Sequence, residues 1–287
     1  LRTLAEVAQA VATARGLAAP VATGASSDTA SAMAAALLGG EHKAILLGNA
    51  AAHHSQASQL LALANWIGEH TGASVGYLTE AANTVGAQWV GAQPDATGLH
   101  AGQMLGGGLK GVLLFNTEPQ FDSAAGEGAA AALGSADMVV TLSPFKTNMA
   151  FSDVLLPIAP FTETSGSFVN AEGRLQSFHA VVRPLGETRP GWKVLRVLAN
   201  LMGVAGIDFD SSQEVLAHIT AAAGAASGVP AESLSNHCAT PVSDLTGAAG
   251  EAPCTATIYQ LDGLVRRAPS LQATRDGRTA LAVEAQP

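Results

Sequence analysis

The densest run of residues that could do chemistry lies between residues 152 and 176. Its first part reads Ser152-Asp-Val-Leu-Leu-Pro157, and its second reads Glu163-Thr-Ser-Gly-Ser-Phe-Val-Asn-Ala-Glu-Gly-Arg-Leu-Gln176. Carboxylate, amide and guanidinium groups between glycines can bond to backbone groups and fix a non-repetitive loop at a sheet edge. The pattern is equally compatible with a strand, a turn and a bend whose charges are solvated. Eight residues define the motif: Asp153, Pro157, Glu163, Gly166, Asn170, Glu172, Gly173 and Arg174.

Other potential metal ligands and nucleophiles are spaced poorly for chemistry. His53 and His54 are adjacent, so on a helix they point about 100° apart, which favours a helix-start or surface role over ligation. His237 beside Cys238 lacks two further ligands at zinc spacing. The possible members of a Ser/His/Asp triad are isolated from one another in sequence. Gly106–Gly108 precedes a predicted strand, which favours a flexible turn over a phosphate-binding loop.

Apolar runs separated by helical patterns predict the elements that must position these groups. The runs lie at 44–48, 74–78, 111–115 and 137–142, with a shorter one at 153–157. Helical spacing of apolar residues occurs between and around them, at 1–11, 28–38, 55–69, 123–133 and 192–202. Buried strands alternating with helices are typical of a parallel sheet covered on both faces. We therefore predict an α/β fold with a doubly wound, mostly parallel sheet.

Ligands of open α/β sheets bind at the carboxyl ends of the strands. Three such ends carry polar or turn-forming residues: Gly48-Asn49, Asn116-Thr-Glu-Pro119 and Ser143-Pro144. Two stretches break the pattern. Residues 79–108 form a long irregular segment that is expected to be a functional or subunit-contacting loop, and residues 221–256 are rich in Ala, Gly, Ser and Pro.

These breaks predict an α/β region over 1–220 and an arm with a C-terminal segment over 221–287. We expect a monomeric or weakly associated chain whose exposed apolar patches lie in the irregular stretch 79–108 and in the arm 221–256.

Composition narrows the class of protein. Hydrophobic residues make up 48% of the 287 residues, enough for a sizeable core, and the formal net charge of −9 argues against nucleic-acid binding. Cys238 and Cys254 are too few for an iron–sulphur cluster, and two free thiols in a reducing cytosol are favoured over one disulfide. Leu1–Ala10 contains no signal-peptide core, and no apolar run reaches the about 20 residues that span a membrane. Because the chain opens with Leu1, we expect a segment of a longer protein.

The run from 152 to 176 resembles the signature of the molybdopterin oxidoreductases, such as formate dehydrogenases and nitrate reductases. That signature reads roughly ADVvLP and, after a gap, E..GTf.N.EGR.Q. Eleven residues match it: Asp153, Leu156, Pro157, Glu163, Gly166, Phe168, Asn170, Glu172, Gly173, Arg174 and Gln176. Within this superfamily the chain is most similar to the large iron–sulphur subunit of bacterial NADH:quinone oxidoreductase, respiratory complex I. That likeness lies in short stretches at 48–50, 83–87, 101–105 and 259–274.

The resemblance implies a molybdopterin-oxidoreductase-like α/β domain, of the formate dehydrogenase and DMSO reductase type. In complex I this domain is understood to have lost molybdenum and pterin, so we expect a structural fragment with no catalytic residue, no metal and no cofactor. Iron–sulphur clusters are expected in an N-terminal part of the subunit. The implied partners are other subunits of the peripheral arm, on the cytoplasmic side of the bacterial inner membrane, with no nucleic acid and no direct membrane span.

Two alternatives stay open at this point. The first is a fragment of an active molybdopterin oxidoreductase, similar to formate dehydrogenase. The second is a thiamine-diphosphate or NAD-binding domain, which the α/β pattern permits but which no GxGxxG fingerprint supports.

The chain departs from the active enzymes at the strand ends. Where they often have Gly-x-Asn-Pro, this chain has Asn116-Thr-Glu-Pro119, and it has Lys146-Thr-Asn-Met149 where a Thr-Glu-Thr is usual. Ser167 replaces the usual Thr. Glu118 would place a carboxylate near a phosphate site and repel it by roughly 3 kcal/mol at about 5 Å, unless Lys146 points inward. The sequence therefore predicts that no pterin dinucleotide binds.

Overall fold

The computed structural model describes residues 1–223, 229–236, 238, 240–243 and 256–284. The chain divides into two compact units, Leu1–Ala82 with Ala231–Thr255 and Asn83–Pro230 with Ala256–Pro287. This division differs from the sequence-based one at residue 220, because the described residues after 255 belong to the second unit. His237, Cys254 and most of the predicted arm 221–256 lie outside the described residues.

The first unit is built on a two-stranded parallel sheet. Strand β1 (Ala44–Leu47) pairs in register with β2 (Ser74–Tyr77). The helices of this unit are α1 (Arg2–Arg15), α2 (Asp28–Gly39), α3 (Asn49–Ala52) and α4 (Ala57–Thr71). A short 3₁₀ turn covers Ala231–Leu234.

Helices α1, α2 and α4 form the core of the first unit. Val11, Leu63 and Ile67 are fully buried in it. Helix α1 ends where the sequence predicts, because Gly16 adopts a left-handed conformation (φ 68°) that favours glycine. Ser27 caps α2, its hydroxyl oxygen accepting a hydrogen bond from the Ala30 amide at 3.3 Å.

The second unit contains a three-stranded parallel sheet in the order β3-β4-β5. These strands are β3 (Gly111–Phe115), β4 (Met138–Ser143) and β5 (Val154–Pro157). The helices of this unit are α5 (Thr84–Trp89), α6 (Ala101–Met104), α7 (Pro119–Asp122), α8 (Glu127–Gly134), α9 (Gly191–Leu201), α10 (Ser212–Ala223), α11 (Ile258–Leu261), α12 (Pro269–Gln272) and α13 (Arg275–Glu284). Its 3₁₀ turns lie at Thr147–Ala150, Phe161–Glu163 and Val265–Arg267.

An antiparallel hairpin follows the parallel sheet. Strand β6 (Gly166–Val169) pairs with β7 (Leu175–Phe178), in the region where the sequence predicts short extended pieces and turns. The hairpin carries most of the signature motif. Its β6 is tied to the start of α5, because the Val169 amide donates to the Asn83 side-chain oxygen at 2.8 Å.

The α/β class and all five predicted parallel strands are confirmed, but their assignment to a single sheet is wrong. The strands at 44–47 and 74–77 pair with each other, and those at 111–115, 138–143 and 154–157 form a separate sheet. Apolar continuity identifies the strand itself, whereas its neighbour is chosen by packing between residues distant in sequence.

The irregular stretch 79–108 contains the short helices α5 and α6 rather than continuous loop. Gly107 and Gly108 both have positive φ, as expected of a turn that leads into β3. Three apolar residues of this stretch, Val90, Leu99 and Met104, are exposed. Among the described helices, none is both long enough and apolar enough to cross a membrane.

Candidate functional site

The candidate site is the edge of the second unit's sheet where all three parallel strands end. β3, β4 and β5 run in one direction, so the residues after Phe115, Ser143 and Pro157 meet there. A cavity of about 220 Å³ opens at this edge. It is lined by Asn116, Glu118, Asp122, Ser143, Pro144, Phe145, Pro160, Phe161, Leu261, Asp262, Gly263, Leu264 and Arg266.

Glu118 is turned into this edge by the turn between β3 and α7. The Asn116 amide donates to the Leu142 carbonyl at 2.8 Å, and Asn116 then takes a left-handed conformation (φ 51°) that redirects the chain. Asp122 holds the turn, since its Oδ2 accepts from the Glu118 amide at 2.7 Å and from the Thr117 hydroxyl at 3.2 Å. The side chain of Glu118 is only 3% exposed.

A segment distant in sequence covers the edge, and we call Thr257–Thr274 the strap. It comprises α11, the 3₁₀ turn at Val265–Arg267 and α12. Gly263 packs so closely on Phe145 that a Cβ atom at this position would lie 2.9 Å from the ring. A side chain at residue 263 would therefore require either the Phe145 ring or the strap to shift.

Arg266 joins the strap to the sheet edge. Its guanidinium donates to Glu118 Oε2, to Asp122 Oδ1 at 3.0 Å and to the carbonyl oxygen of Gln260 at 2.8 Å. It also lies 4.8 Å from the centre of the Phe121 ring, within cation–π range. The arginine side chain is 11% exposed, so the ion pair is largely shielded from water.

Arg267 makes a second connection beside the first. It donates to both oxygens of Glu118, in the two-pronged geometry that guanidinium groups form with carboxylates. It also donates to the Thr147 hydroxyl at 2.6 Å, and it stacks 3.8 Å from the centre of the Phe145 ring. One buried carboxylate thus holds two consecutive arginines.

The ion pairs keep Glu118 ionised. Burial by itself raises the pKa of the Glu118 carboxyl, but hydrogen bonds from Arg267, Thr147 and Arg266 outweigh burial and hold the pKa below its usual value. Burial likewise lowers the pKa of Arg266, and its bonds to Glu118 and Asp122 outweigh this and raise the pKa. The cluster thus pairs two carboxylates, those of Glu118 and Asp122, with the two guanidinium groups of Arg266 and Arg267.

This arrangement corrects the sequence-based view of Glu118 as an uncompensated carboxylate. The repulsion of roughly 3 kcal/mol applies to a bare charge, whereas two guanidinium groups neutralise this one. The compensating cations come from the strap, while Lys146 is exposed at the start of a 3₁₀ turn.

The signature residues near β5 stabilise local backbone. Asp153 extends the strand pairing, because its Oδ2 accepts from the Val139 amide at 2.7 Å. Pro157 ends β5 opposite Ser143. Glu163 accepts from the Leu185 amide at 2.9 Å and so fixes the chain after the hairpin.

The remaining signature residues shape the hairpin. Asn170 Oδ1 accepts from the amides of Glu172 and Arg174, at 3.0 and 2.9 Å, and the turn closes through Gly173, whose φ of 79° favours glycine. Glu172 and Arg174 are exposed. At Gly166 a Cβ atom would lie 2.7 Å from the Phe178 ring, so only glycine fits there without a shift.

The histidine pair lies in the turn between α3 and α4 rather than at the start of a helix, since His53 caps the C-terminus of α3 and α4 begins only at Ala57. His53 Nε2 is 2.9 Å from Glu80 Oε2, and His54 Nδ1 accepts from the Gln56 amide at 2.9 Å. Among the described residues, no three His, Cys, Asp or Glu side chains come close enough together to hold a metal ion.

Sequence reasoning identified Glu118 as significant but missed its partners. Arg266 and Arg267 lie 148 and 149 residues away in sequence, and no local pattern joins positions so far apart. The available signal was a tandem pair of arginines in a chain that has 14 basic residues against 23 acidic ones.

Comparison with known proteins identifies the class. The profile of the molybdopterin oxidoreductase family matches residues 20–201, so this α/β chain belongs to that family. A Staphylococcus aureus protein named "Putative formate dehydrogenase" is 40% identical over 74 residues, 25% of this chain and 8% of that protein. A protein of the same name from Staphylococcus haemolyticus is 34% identical over 104 residues, 36% of this chain and 10% of its own length. The matched segments thus cover a tenth or less of either relative.

Proposed function

We propose that this chain is a structural, non-catalytic part of a larger oxidoreductase subunit. The observation that carries the proposal is the Glu118–Arg266–Arg267 cluster, by which the strap covers the sheet edge where α/β folds place ligands. The strap leaves a cavity of only about 220 Å³ at this edge, whereas a catalytic domain would need space there for its cofactor.

The residues present at the edge do not fit a pterin dinucleotide. Its phosphates need backbone amides or cations that are free to receive them. Arg266 and Arg267 already neutralise Glu118 and Asp122, so the cluster has no net positive charge to offer. The cavity of about 220 Å³ is also smaller than the roughly 300–1,000 Å³ typical of pockets for drug-sized molecules.

The parent protein that we propose is the large iron–sulphur subunit of a bacterial NADH:quinone oxidoreductase. The proposal is supported by the resemblance of residues 259–274 to that subunit. These residues form most of the strap that covers the sheet edge. In this role the chain supports electron transfer from NADH to quinone by positioning other subunits of the peripheral arm, on the cytoplasmic side of the inner membrane. Its iron–sulphur clusters belong to another part of the subunit.

The test introduces Glu118→Gln into the parent subunit in its host, with Glu172→Gln as the control, since Glu172 is exposed in the hairpin turn. Glu118→Gln should lower the amount of assembled enzyme and the NADH:quinone activity of membranes in equal proportion. Turnover per assembled enzyme should stay constant. A fall in turnover at normal assembly would contradict a purely structural role.

A formate dehydrogenase-like enzyme is the second candidate. Two observations favour it: the names of the staphylococcal relatives, and the buried Arg266 Nε, which has no partner among the described residues. If this candidate is correct, deletion of the parent subunit abolishes formate-dependent dye reduction. The scaffold proposal requires that this activity survive the deletion.

A further inference from the structure

A second cavity lies along α9, and the residues that line it are distant in sequence from the strap. Its volume is about 540 Å³, and Leu156 of β5 forms part of its lining. Four apolar residues of α9 line it: Val194, Val197, Leu198 and Leu201. Their spacing of i, i+3, i+4 and i+7 places them in one stripe along the helix, as in helices that pack against another helix.

The apolar stripe is open to solvent. Leu201 is 82% exposed and Val197 is 50% exposed, and Met202 directly after the helix is 72% exposed. The strand beside the groove, β5, is an edge strand of its sheet. A contiguous apolar patch beside a sheet edge is typical of a protein-binding surface.

The groove has a basic rim. Arg189, Lys193 and Arg196 line it together with one acidic residue, Asp210. Arg196 is committed to the Phe209 carbonyl at 2.6 Å and to Asp210 at 3.4 Å. Arg189 is exposed and lies 3.7 Å from Glu187, and Lys193 is exposed. Positive charge therefore surrounds an apolar floor on a chain whose net charge is −9.

We propose that this groove binds an amphipathic α-helix of a partner protein whose apolar face is flanked by Asp or Glu. The apolar stripe fits a helix with anchors at i, i+3, i+4 and i+7. The basic rim selects acidic flanks, because a basic helix would meet like charges at Lys193 and Arg189. The inference uses none of the residues that support the proposed function.

The experiment uses the 287-residue chain and two synthetic helical peptides. Both carry leucines at i, i+3, i+4 and i+7, one with glutamates and the other with lysines on the flanks. Fluorescence anisotropy should show that the acidic peptide binds about tenfold more tightly than the basic one, and that added salt weakens this preference. Equal affinities for the two peptides would overturn the proposal.

Variants test separately how the apolar stripe and the basic rim contribute to peptide binding. Leu201→Asp should weaken binding of the acidic peptide at least about tenfold, because an exposed apolar anchor is lost without disturbing the fold. Lys193→Glu should reverse the preference, whereas Lys110→Glu, an exposed site at the start of β3, should leave it unchanged. Unchanged binding of the acidic peptide by the Leu201→Asp variant would refute the assignment of this groove as the binding site.

Two other occupants are tested directly. Sedimentation velocity should show no self-association that Leu201→Asp abolishes, and the chain should not float with phosphatidylglycerol vesicles. Either result, if positive, would assign the groove to a second copy of the chain or to a lipid surface and would overturn the proposal.

Discussion

Glu118→Gln tests the cluster at the sheet edge most sharply. The substitution keeps the side chain's shape and removes the charge that two arginines share. Glu118 is 3% exposed and Arg266 is 11% exposed, so the change leaves a guanidinium shielded from water without its main partner. Removal of one member of a buried pair typically costs about 3–5 kcal/mol. We expect about 3 kcal/mol, because Asp122 remains 3.0 Å from Arg266 and Arg267 is 32% exposed.

Urea unfolding of the second unit measures this loss. Trp66 is the one tryptophan of the three that lies in the first unit, so a Trp66→Phe background makes fluorescence report Trp89 and Trp192. Glu172→Gln is the matched control, and its effect should stay within about 0.5 kcal/mol. A loss below about 1 kcal/mol for Glu118→Gln would show that the ion pairs do not hold the strap.

Three further predictions concern pH and the hairpin. Because the folded-state pKa of Glu118 is below its ordinary value of 4.5, its contribution is complete above that pH and is lost as pH falls through the folded-state pKa. The stability gap between wild type and Glu118→Gln should therefore narrow in acid, and a gap that widens there would contradict the assigned sign. Asn170→Ala should lower stability by about 1 kcal/mol in thermal melts, because the amides of Glu172 and Arg174 lose their acceptor. Asn170→Asp, which retains that oxygen, should not. Gly166→Ala should cost about 1–3 kcal/mol, since a methyl group would lie 2.7 Å from the Phe178 ring, and an unchanged melting temperature would refute the close packing.

The sequence was sufficient to predict the elements that depend only on residues near to them in the chain. Gly16 stops α1, Ser27 starts α2, and the apolar run at 111–115 forms a strand, because each depends on neighbouring residues. The signature also marked the hairpin correctly as a place where side chains bond to backbone, as Asn170 does.

Features that depend on distant residues could not be predicted. The two parallel sheets are separate because β2 pairs with β1 and β5 pairs with β4, choices that no periodicity encodes. The position of Glu118 at the strand end was predicted correctly. Its electrostatic environment was not, because the arginines that neutralise it belong to the strap. Burial of a charge is decided by whatever packs over it.

The central claim is that the sheet edge supports structure and binds no pterin cofactor. The most direct test is to purify the parent subunit from its host, then measure molybdenum by elemental mass spectrometry and released pterin by fluorescence after oxidation. The scaffold proposal predicts less than about a tenth of a molybdenum atom per polypeptide and no pterin above the background of a mock purification. Near-stoichiometric molybdenum with pterin, in a preparation where Glu118 and the strap are intact, would contradict it and favour the formate dehydrogenase-like enzyme.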